Sequence, residues 1–336
     1  MDSSLAYWQD TTCHHHRKNI RVEESWSGVP QGSVLGPVLF LLFINDLDSA
    51  TTERQTIKKF ADDTKVMQVI ETAEDAAELQ RCLDRLCDWA RTWGMAFNES
   101  KCHVMHVGMR NPCHVYFMNG VRLEASEKER DVGVTISSSL KPAQQCHKAA
   151  QTASAVLSQI TRAFHYRDRH VFLSLYQQYV RPHLEFAVAA WAPWTQADIQ
   201  CLESVQQRAV RAISGLRANT YEEKLRELGI PSLQERRVEI DMVQTFKIVK
   251  GIDKVDCELW FERADSRRPT RSNAAKHSLV PRRTQHEYRK NFFSSRVVDH
   301  WNSLPTEMKE ARTVSQFKRL YRRHIQATVA PARTSR

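Results

Sequence analysis

The stretch Ile57-Lys58-Lys59-Phe60-Ala61-Asp62-Asp63-Thr64-Lys65-Val66-Met67 decides how the rest of the chain is read. Ile57 to Phe60 suits a short strand, and Val66, Met67, Val69 and Ile70 suit another. Between them Asp62 and Asp63 stand side by side. That pairing costs Coulomb repulsion and desolvation unless the site is wet or a cation is bound. A hairpin tip presenting two carboxylates is a natural hard-cation site, because Mg²⁺ takes one or two carboxylates and leaves its other positions to water and substrate phosphates. Asp-Asp also occurs in ordinary turns, where short polar side chains bond nearby backbone. The neighbouring sequence has to choose between the two readings.

Upstream, Ser27-Gly28-Val29-Pro30-Gln31-Gly32-Ser33 is a turn-rich loop. Its glycines allow close backbone approach to a ligand, and Gln31 can both donate and accept. The loop feeds an apolar segment expected to be a buried helix over Leu35 to Leu47, with Pro37 near its first turn. The apolar run Val34 to Ile44 falls far short of the ~20 residues a membrane helix needs, so no membrane is expected as partner. Met1 to Asp10 lacks the basic start and apolar stretch of a secretory signal. Cys13-His14-His15-His16 reads as a polar loop, since adjacent His side chains cannot all face one ion.

These pieces together carry a resemblance. Gly28-Val29-Pro30-Gln31-Gly32-Ser33-Val34-Leu35-Gly36-Pro37, then Leu39-Phe40, Phe43-Ile44-Asn45-Asp46-Leu47 and Phe60-Ala61-Asp62-Asp63 resemble the reverse transcriptase of non-LTR (LINE-type, jockey-like) retrotransposons. The first stretch is similar to that family's template- and nucleotide-contacting loop. The last is similar to its metal-binding turn, with Phe60 where Tyr is more familiar. The resemblance implies an RNA-directed DNA polymerase acting on an RNA template, a DNA primer and deoxynucleoside triphosphates, with Mg²⁺ in a two-metal site. It implies that Asp62 binds metal and Asp63 supports it, while Pro30, Gln31, Gly32, Phe60 and Ala61 contact nucleotide and template. Met95 to Gly108 resembles the next palm segment, with Asn98 and with Lys101 placed near the leaving pyrophosphate as a general acid or charge stabiliser.

The family's palm also needs an aspartate on an upstream strand, flanked by Phe and Ala. Only 27 residues precede Gly28, and neither Asp2 nor Asp10 has that setting. The expectation is therefore an N-terminally truncated palm that does not complete a two-metal site by itself, with a sheet edge exposed to self-association. The alternative is a non-catalytic nucleic-acid-binding remnant.

Beyond the hairpin, Thr72-Ala73-Glu74-Asp75 reads as a capping box. It opens an amphipathic helix with Leu79, Leu83, Leu86, Ala90 and Trp93 on one side and Gly94 as C-cap. Lys101 to Val107 reads as a strand on which His103 and His106 face opposite ways, against a metal cage. Val115 to Phe117, Asn119-Gly120 and Val121 to Leu123 read as a tight hairpin, and Asp131 to Ile136 as one further strand. From Ala143 the chain is helical. Ala149, Ala153, Val156, Leu157, Ile160 and Phe164 form one face, and Phe172, Leu175, Tyr176 and Tyr179 another. Further helices are expected over Ala197 to Leu216 and Leu233 to Val249. Phe292, Phe293, Val297, Trp301 and Leu304, interleaved with Arg296, can stack on bases or form a small core.

The fold class is α+β: a partial reverse-transcriptase palm, an antiparallel sheet packed on helices, over 1–137, followed by a mainly helical thumb-like region over 138–250 and a basic C-terminal region over 251–336. Of the net charge of +10, residues 262–336 contribute +12, with 18 Lys and Arg against 6 Asp and Glu. A basic terminal third suits a polyanionic partner or a solvated basic surface. The eight cysteines include no Cys-x-x-Cys pair. They suit reduced thiols of an intracellular protein, in nucleus or cytoplasm.

Overall fold

The computed structural model describes residues 33–108, 110–218, 220–264 and 277–329, with side chains to 327. Cys13 to His16, Ile20 to Trp26, the Pro30-Gln31-Gly32 loop and the Arg267, Arg268 and Arg271 cluster lie outside the described residues. Two compact units divide the chain: Met1–Val104 with Met109–Ala125, and Met105–Gly108 with Ser126–Arg336.

In the first unit, helix α1 (Gly36–Phe43) runs into a 3-10 turn (Asn45–Ala50). The hairpin β1 (Thr56–Phe60) and β2 (Asp63–Met67) follows, and then α2 (Ala73–Thr92). The capping box forms as expected. Asp75 N–H donates to Thr72 Oγ1 at 3.2 Å, and Thr72 N–H donates to Asp75 Oδ2 at 2.9 Å. Two orphan donors at the helix start are thereby satisfied. α2 then buries Cys82, Leu86, Cys87 and Ala90; of the side expected from sequence, Leu79 and Leu83 are partly buried, while Trp93, at the helix end, is 48% exposed.

Short pairs complete this unit: β3 (His103–Val104) beside β6 (Glu124–Ala125) in parallel, and β4 (Phe117–Met118) against β5 (Val121–Arg122). The Asn119-Gly120 turn is as the sequence indicates, with φ of 48° and 77°, the left-handed pair a tight hairpin needs. The strand expected over Lys101 to Val107 is shorter. Its first residue belongs to a 3-10 turn (Glu99–Lys101), and only His103 and Val104 find a strand partner.

The buried helix expected over Leu35 to Leu47 is corrected on two counts. α1 ends at Phe43, and its apolar residues are largely exposed, Leu42 by 69% and Leu39 by 51%. Its sequence is apolar all round, so periodicity gave no polar face to mark the outside. Burial falls instead on Leu47 and Ala50 of the 3-10 turn, which pack with Cys82 and Leu86 of α2.

The second unit begins with β7 (Lys128–Asp131) and β8 (Val134–Ser137), an antiparallel pair where the sequence reading has one strand over Asp131 to Ile136. The difference lies in Val132 and Gly133, whose φ of 45° and 87° make a two-residue turn. A β-branched residue is a poor advertisement for a left-handed turn. α3 (Ala143–Ala163), α4 (Arg169–Leu175), α5 (Arg181–Glu185), α6 (Val188–Trp191), α7 (Gln196–Ala212), α8 (Tyr221–Leu228) and α9 (Leu233–Val249) follow. A π turn (Tyr176–Val180) joins α4 to α5. It advances the register by one residue, so Val180 is buried and Tyr179, assigned to the apolar face from sequence, is 55% exposed.

The short helices α10 (Cys257–Trp260), α11 (Glu287–Lys290), α12 (Phe293–Arg296), α13 (Val298–Ser303) and α14 (Thr306–Lys309) lead to α15 (Val314–Val329). Phe293, Val297, Trp301 and Leu304 are core residues here, packed with Phe246 of α9 and Phe317 of α15. Phe292 is partly exposed, but its ring stacks with Trp260 at 6.1 Å and has the Arg289 guanidinium over it at 5.1 Å. Arg296 makes a bidentate pair with Asp241 at 2.8 Å for both bonds and donates to Ala189 O at 2.8 Å, which ties α12, α9 and α6 together. Among the described residues no helix is long and apolar enough to cross a membrane.

Candidate functional site: the Phe60 to Asp63 tip

β1 and β2 pair in strict register from Thr56 opposite Met67 to Phe60 opposite Asp63, so only Ala61 and Asp62 make the turn. Ala61 takes a φ of 51°. The left-handed region costs a non-glycine residue roughly 1–2 kcal/mol, and such strain gathers where geometry serves function. The turn sets Asp62 at its second position and Asp63 as the first residue of β2, with Phe60, Ala61 and both carboxylates open to solvent.

The tip is held from behind by residues that the sequence reading passed over. Lys59 is half-buried beneath it. Its ammonium donates to Ile44 O at 2.9 Å and Asn45 O at 3.0 Å, and pairs with Asp48 at 2.9 Å. All three ammonium donors are thus in use, and two of them close carbonyls at the C-terminal end of α1, where a cation also complements the helix dipole. Trp89 Nε1 donates to Asp46 Oδ1 at 3.2 Å, and Arg85 Nε to Ala50 O at 2.8 Å. The turn after α1 is therefore tied to both the hairpin and α2. At the base, buried Gln55 donates to Gln68 at 2.6 Å, and Gln68 donates to Asp75 O at 2.7 Å. The available signal for Lys59 was period two: with Ile57 it occupies the inward positions of β1.

Lys101 ends its 3-10 turn exposed. The turn is fixed by Asn119, whose amide donates to Glu99 Oε1 at 2.6 Å and holds that carboxyl below its ordinary pKa. Among the described residues no hydrogen bond or ion pair joins Lys101 to Asp62 or Asp63. Pro30, Gln31 and Gly32 lie outside the described residues. The structure thus brings Phe60, Ala61, Asp62 and Asp63 together on one turn, with Lys101 on a separate 3-10 turn. As a cation site the tip offers the right donor chemistry, exposed carboxylate oxygens with room for water and phosphate. Among the described residues no three of His, Cys, Asp and Glu gather to hold a metal ion.

Comparison with known proteins extends this picture. Residues 2–154 match the family described as reverse transcriptase (RNA-dependent DNA polymerase). The RNA-directed DNA polymerase from mobile element jockey of Drosophila melanogaster is 25% identical over 225 residues, 62% of this chain and 24% of the relative. The probable RNA-directed DNA polymerase from transposon X-element of the same fly is 26% identical over 198 residues, 56% of this chain and 22% of the relative. That from its transposon BS is 24% identical over 226 residues, 58% and 24% of the two chains. The chain spans about a quarter of the length of these curated relatives. No solved structure matches it. The tip with its two aspartates lies inside the matched residues, and by these matches the chain is related to the reverse transcriptases of jockey-like non-LTR retrotransposons.

Proposed function

We propose that this chain carries the carboxylate turn of an RNA-directed DNA polymerase palm and supplies part, not all, of a two-metal nucleotidyl-transfer site. The observation that carries the reading is the two-residue turn at Ala61 and Asp62, which sets Asp62 and Asp63 together at a strained, exposed hairpin tip inside the reverse-transcriptase match. Asp62 would ligate Mg²⁺ directly, with Asp63 beside it on β2. When bound there, the ion would activate the primer 3′-hydroxyl and neutralise charge on the nucleotide phosphates.

The chain's own residues do the holding. Lys59 fixes the hairpin to the turn after α1, and the Gln55–Gln68 pair fixes its base. Pro30, Gln31 and Gly32 would place nucleotide and template. Lys101 would meet the charge that develops on pyrophosphate and return a proton to it. RNA template, DNA primer and deoxynucleoside triphosphates are the substrates of this reading, and nucleus or cytoplasm its setting. The helical region over 138–250 would act as the thumb.

A further carboxylate from another strand is needed for two ions. In the described residues β1 pairs with β2 alone, so no third strand carries one to the tip. The proposal is that the chain by itself does not polymerise. The exposed apolar face of α1 and the two-stranded edge favour self-association. Primer extension with the purified 336-residue chain tests the reading. No template-dependent incorporation is expected with Mg²⁺ or Mn²⁺, and incorporation that Asp62→Asn abolishes would overturn the claim of incompleteness.

A further inference from the structure

We propose that the exposed face of α15 binds the phosphate backbone of nucleic acid. One side of this helix is committed to the core: Phe317 and Tyr321 are buried, and Phe317 stacks on Phe246 with ring centroids 4.5 Å apart. On the other side Ser315, Lys318, Arg319, Arg322, Arg323 and Gln326 line an open trough of about 430 Å³. These positions recur at three and four residues and so form one stripe along the helix.

The charge pattern of the stripe works against the helix that carries it. Lys318 with Arg322, and Arg319 with Arg323, are like charges at i, i+4, and Arg319 with Arg322 at i, i+3, and such pairs destabilise a helix. α15 contains no Asp or Glu, and none follows Glu310 in the sequence. Of the four cations only Arg322 is balanced, by Glu239 at 2.7 Å. Among the described residues no ion pair engages Lys318, Arg319 or Arg323. The helix dipole favours cations in a last turn, but Lys318 and Arg319 stand in the first half of α15. α2 differs in that its cations are balanced: Arg81, Arg85 and Arg91 pair with Glu74, Glu78 and Asp88 on the same helix.

Unbalanced cations in a row fit a polyanion with regular spacing. Lys318 to Arg323 covers about 7.5 Å of helix, against one phosphate per ~3.4 Å along each strand of a duplex. Two or three phosphates lie within reach. A membrane surface fits less well. Amphipathic helices that bind bilayers insert their apolar face, and here that face is the core, with no exposed large apolar residue among the described side chains of α15. The site lies outside the residues that match reverse transcriptase and uses neither Asp62 nor Asp63. It therefore stands or falls apart from the polymerase reading.

The test is fluorescence anisotropy of the full chain with labelled 20-nucleotide RNA and 20-base-pair RNA and DNA duplexes, at 50 to 200 mM salt. The triple variant Lys318→Gln/Arg319→Gln/Arg323→Gln leaves the Arg322–Glu239 pair intact. We expect its slope of log affinity against log salt to be shallower by about 2.7 on duplex and about 2.1 on single strands. Affinity at 100 mM salt should weaken at least about tenfold. Arg319→Lys/Arg323→Lys should retain the slope of the parent. Should the triple variant melt early, Arg319→Gln/Arg323→Gln alters exposed residues only and should lower the duplex slope by about 1.8. Unchanged slope and affinity in the folded Gln variants would overturn the proposal. So would loss of binding to phosphatidylserine vesicles with nucleic-acid binding untouched.

Discussion

Among the described residues the second unit closes its core and the first does not. Between Cys146 and Tyr321 the chain builds two large apolar clusters in which Leu202, Phe246, Trp301 and Phe317 are fully buried. The first unit has two small ones, centred on Cys82 and Leu86 and on Tyr116 and Met118, while Val34, Leu39 and Leu42 stay exposed. The reverse-transcriptase match runs over residues 2–154, so it covers nearly all of the first unit and ends within α3 of the second. The candidate carboxylate turn thus belongs to the unit with the smaller buried clusters, and the largest ones are built by the second unit.

The comparison can be broken most forcefully from the packed side. Phe246→Ala removes a ring that is 0% exposed and stacked on Phe317, and should cost the second unit about 3–5 kcal/mol. Hydrogen exchange should then show α9 and α15 opening while protection in α2 is unchanged. Coupled loss in α2 would mean that the units do not differ as described.

On the first unit, Lys59→Met strips the ammonium from Ile44 O, Asn45 O and Asp48. About 2 kcal/mol of stability should go with these charge-assisted bonds, and the turn after α1 should exchange faster than β1. Thr72→Ala, which removes half of the capping box, should cost about 1 kcal/mol in urea unfolding of α2.

The same box gives a pH signature. Hydrogen bonds from the Thr72 side chain and backbone, then from the Glu71 backbone, hold Asp75 below its ordinary value of 3.8. A carboxyl lowered on folding adds stability above its unfolded pKa and loses it as pH falls through the folded one. The far-ultraviolet signal of α2 should therefore weaken below about pH 3.8, and less so in Thr72→Ala. The smallest effect on folding belongs to Leu39→Glu/Leu42→Glu, since both side chains are already exposed. Sedimentation velocity should show weaker self-association with stability within about 0.5 kcal/mol of the parent.

How far the sequence could be read follows the same division. α2 was legible because periodicity and a capping box agree, at Thr72 with Asp75, while the matching box of α9, at Ser232 with Glu235, was a signal the sequence reading did not use. The Asn119-Gly120 turn was legible because its residues favour positive φ. The Val132-Gly133 turn was not, because a β-branched residue in that conformation contradicts local preference. Tyr179 was misplaced by a π turn that no 3.6-residue template contains. The tip itself was legible from Asp62 and Asp63, but its support was not. Lys59, Trp89 and Gln55 act through partners 11 to 43 residues away, which spacing within one element cannot reveal.

The central claim is that Asp62 and Asp63 form a divalent-cation turn, and paramagnetic broadening by Mn²⁺ addresses it without requiring activity. Titrating Mn²⁺ into isotope-labelled protein should broaden the amides of Phe60 to Thr64 before all others, and Asp62→Asn should abolish that broadening while leaving the hairpin's shifts in place. Broadening absent from the tip, or persisting there unchanged in Asp62→Asn, would contradict the account.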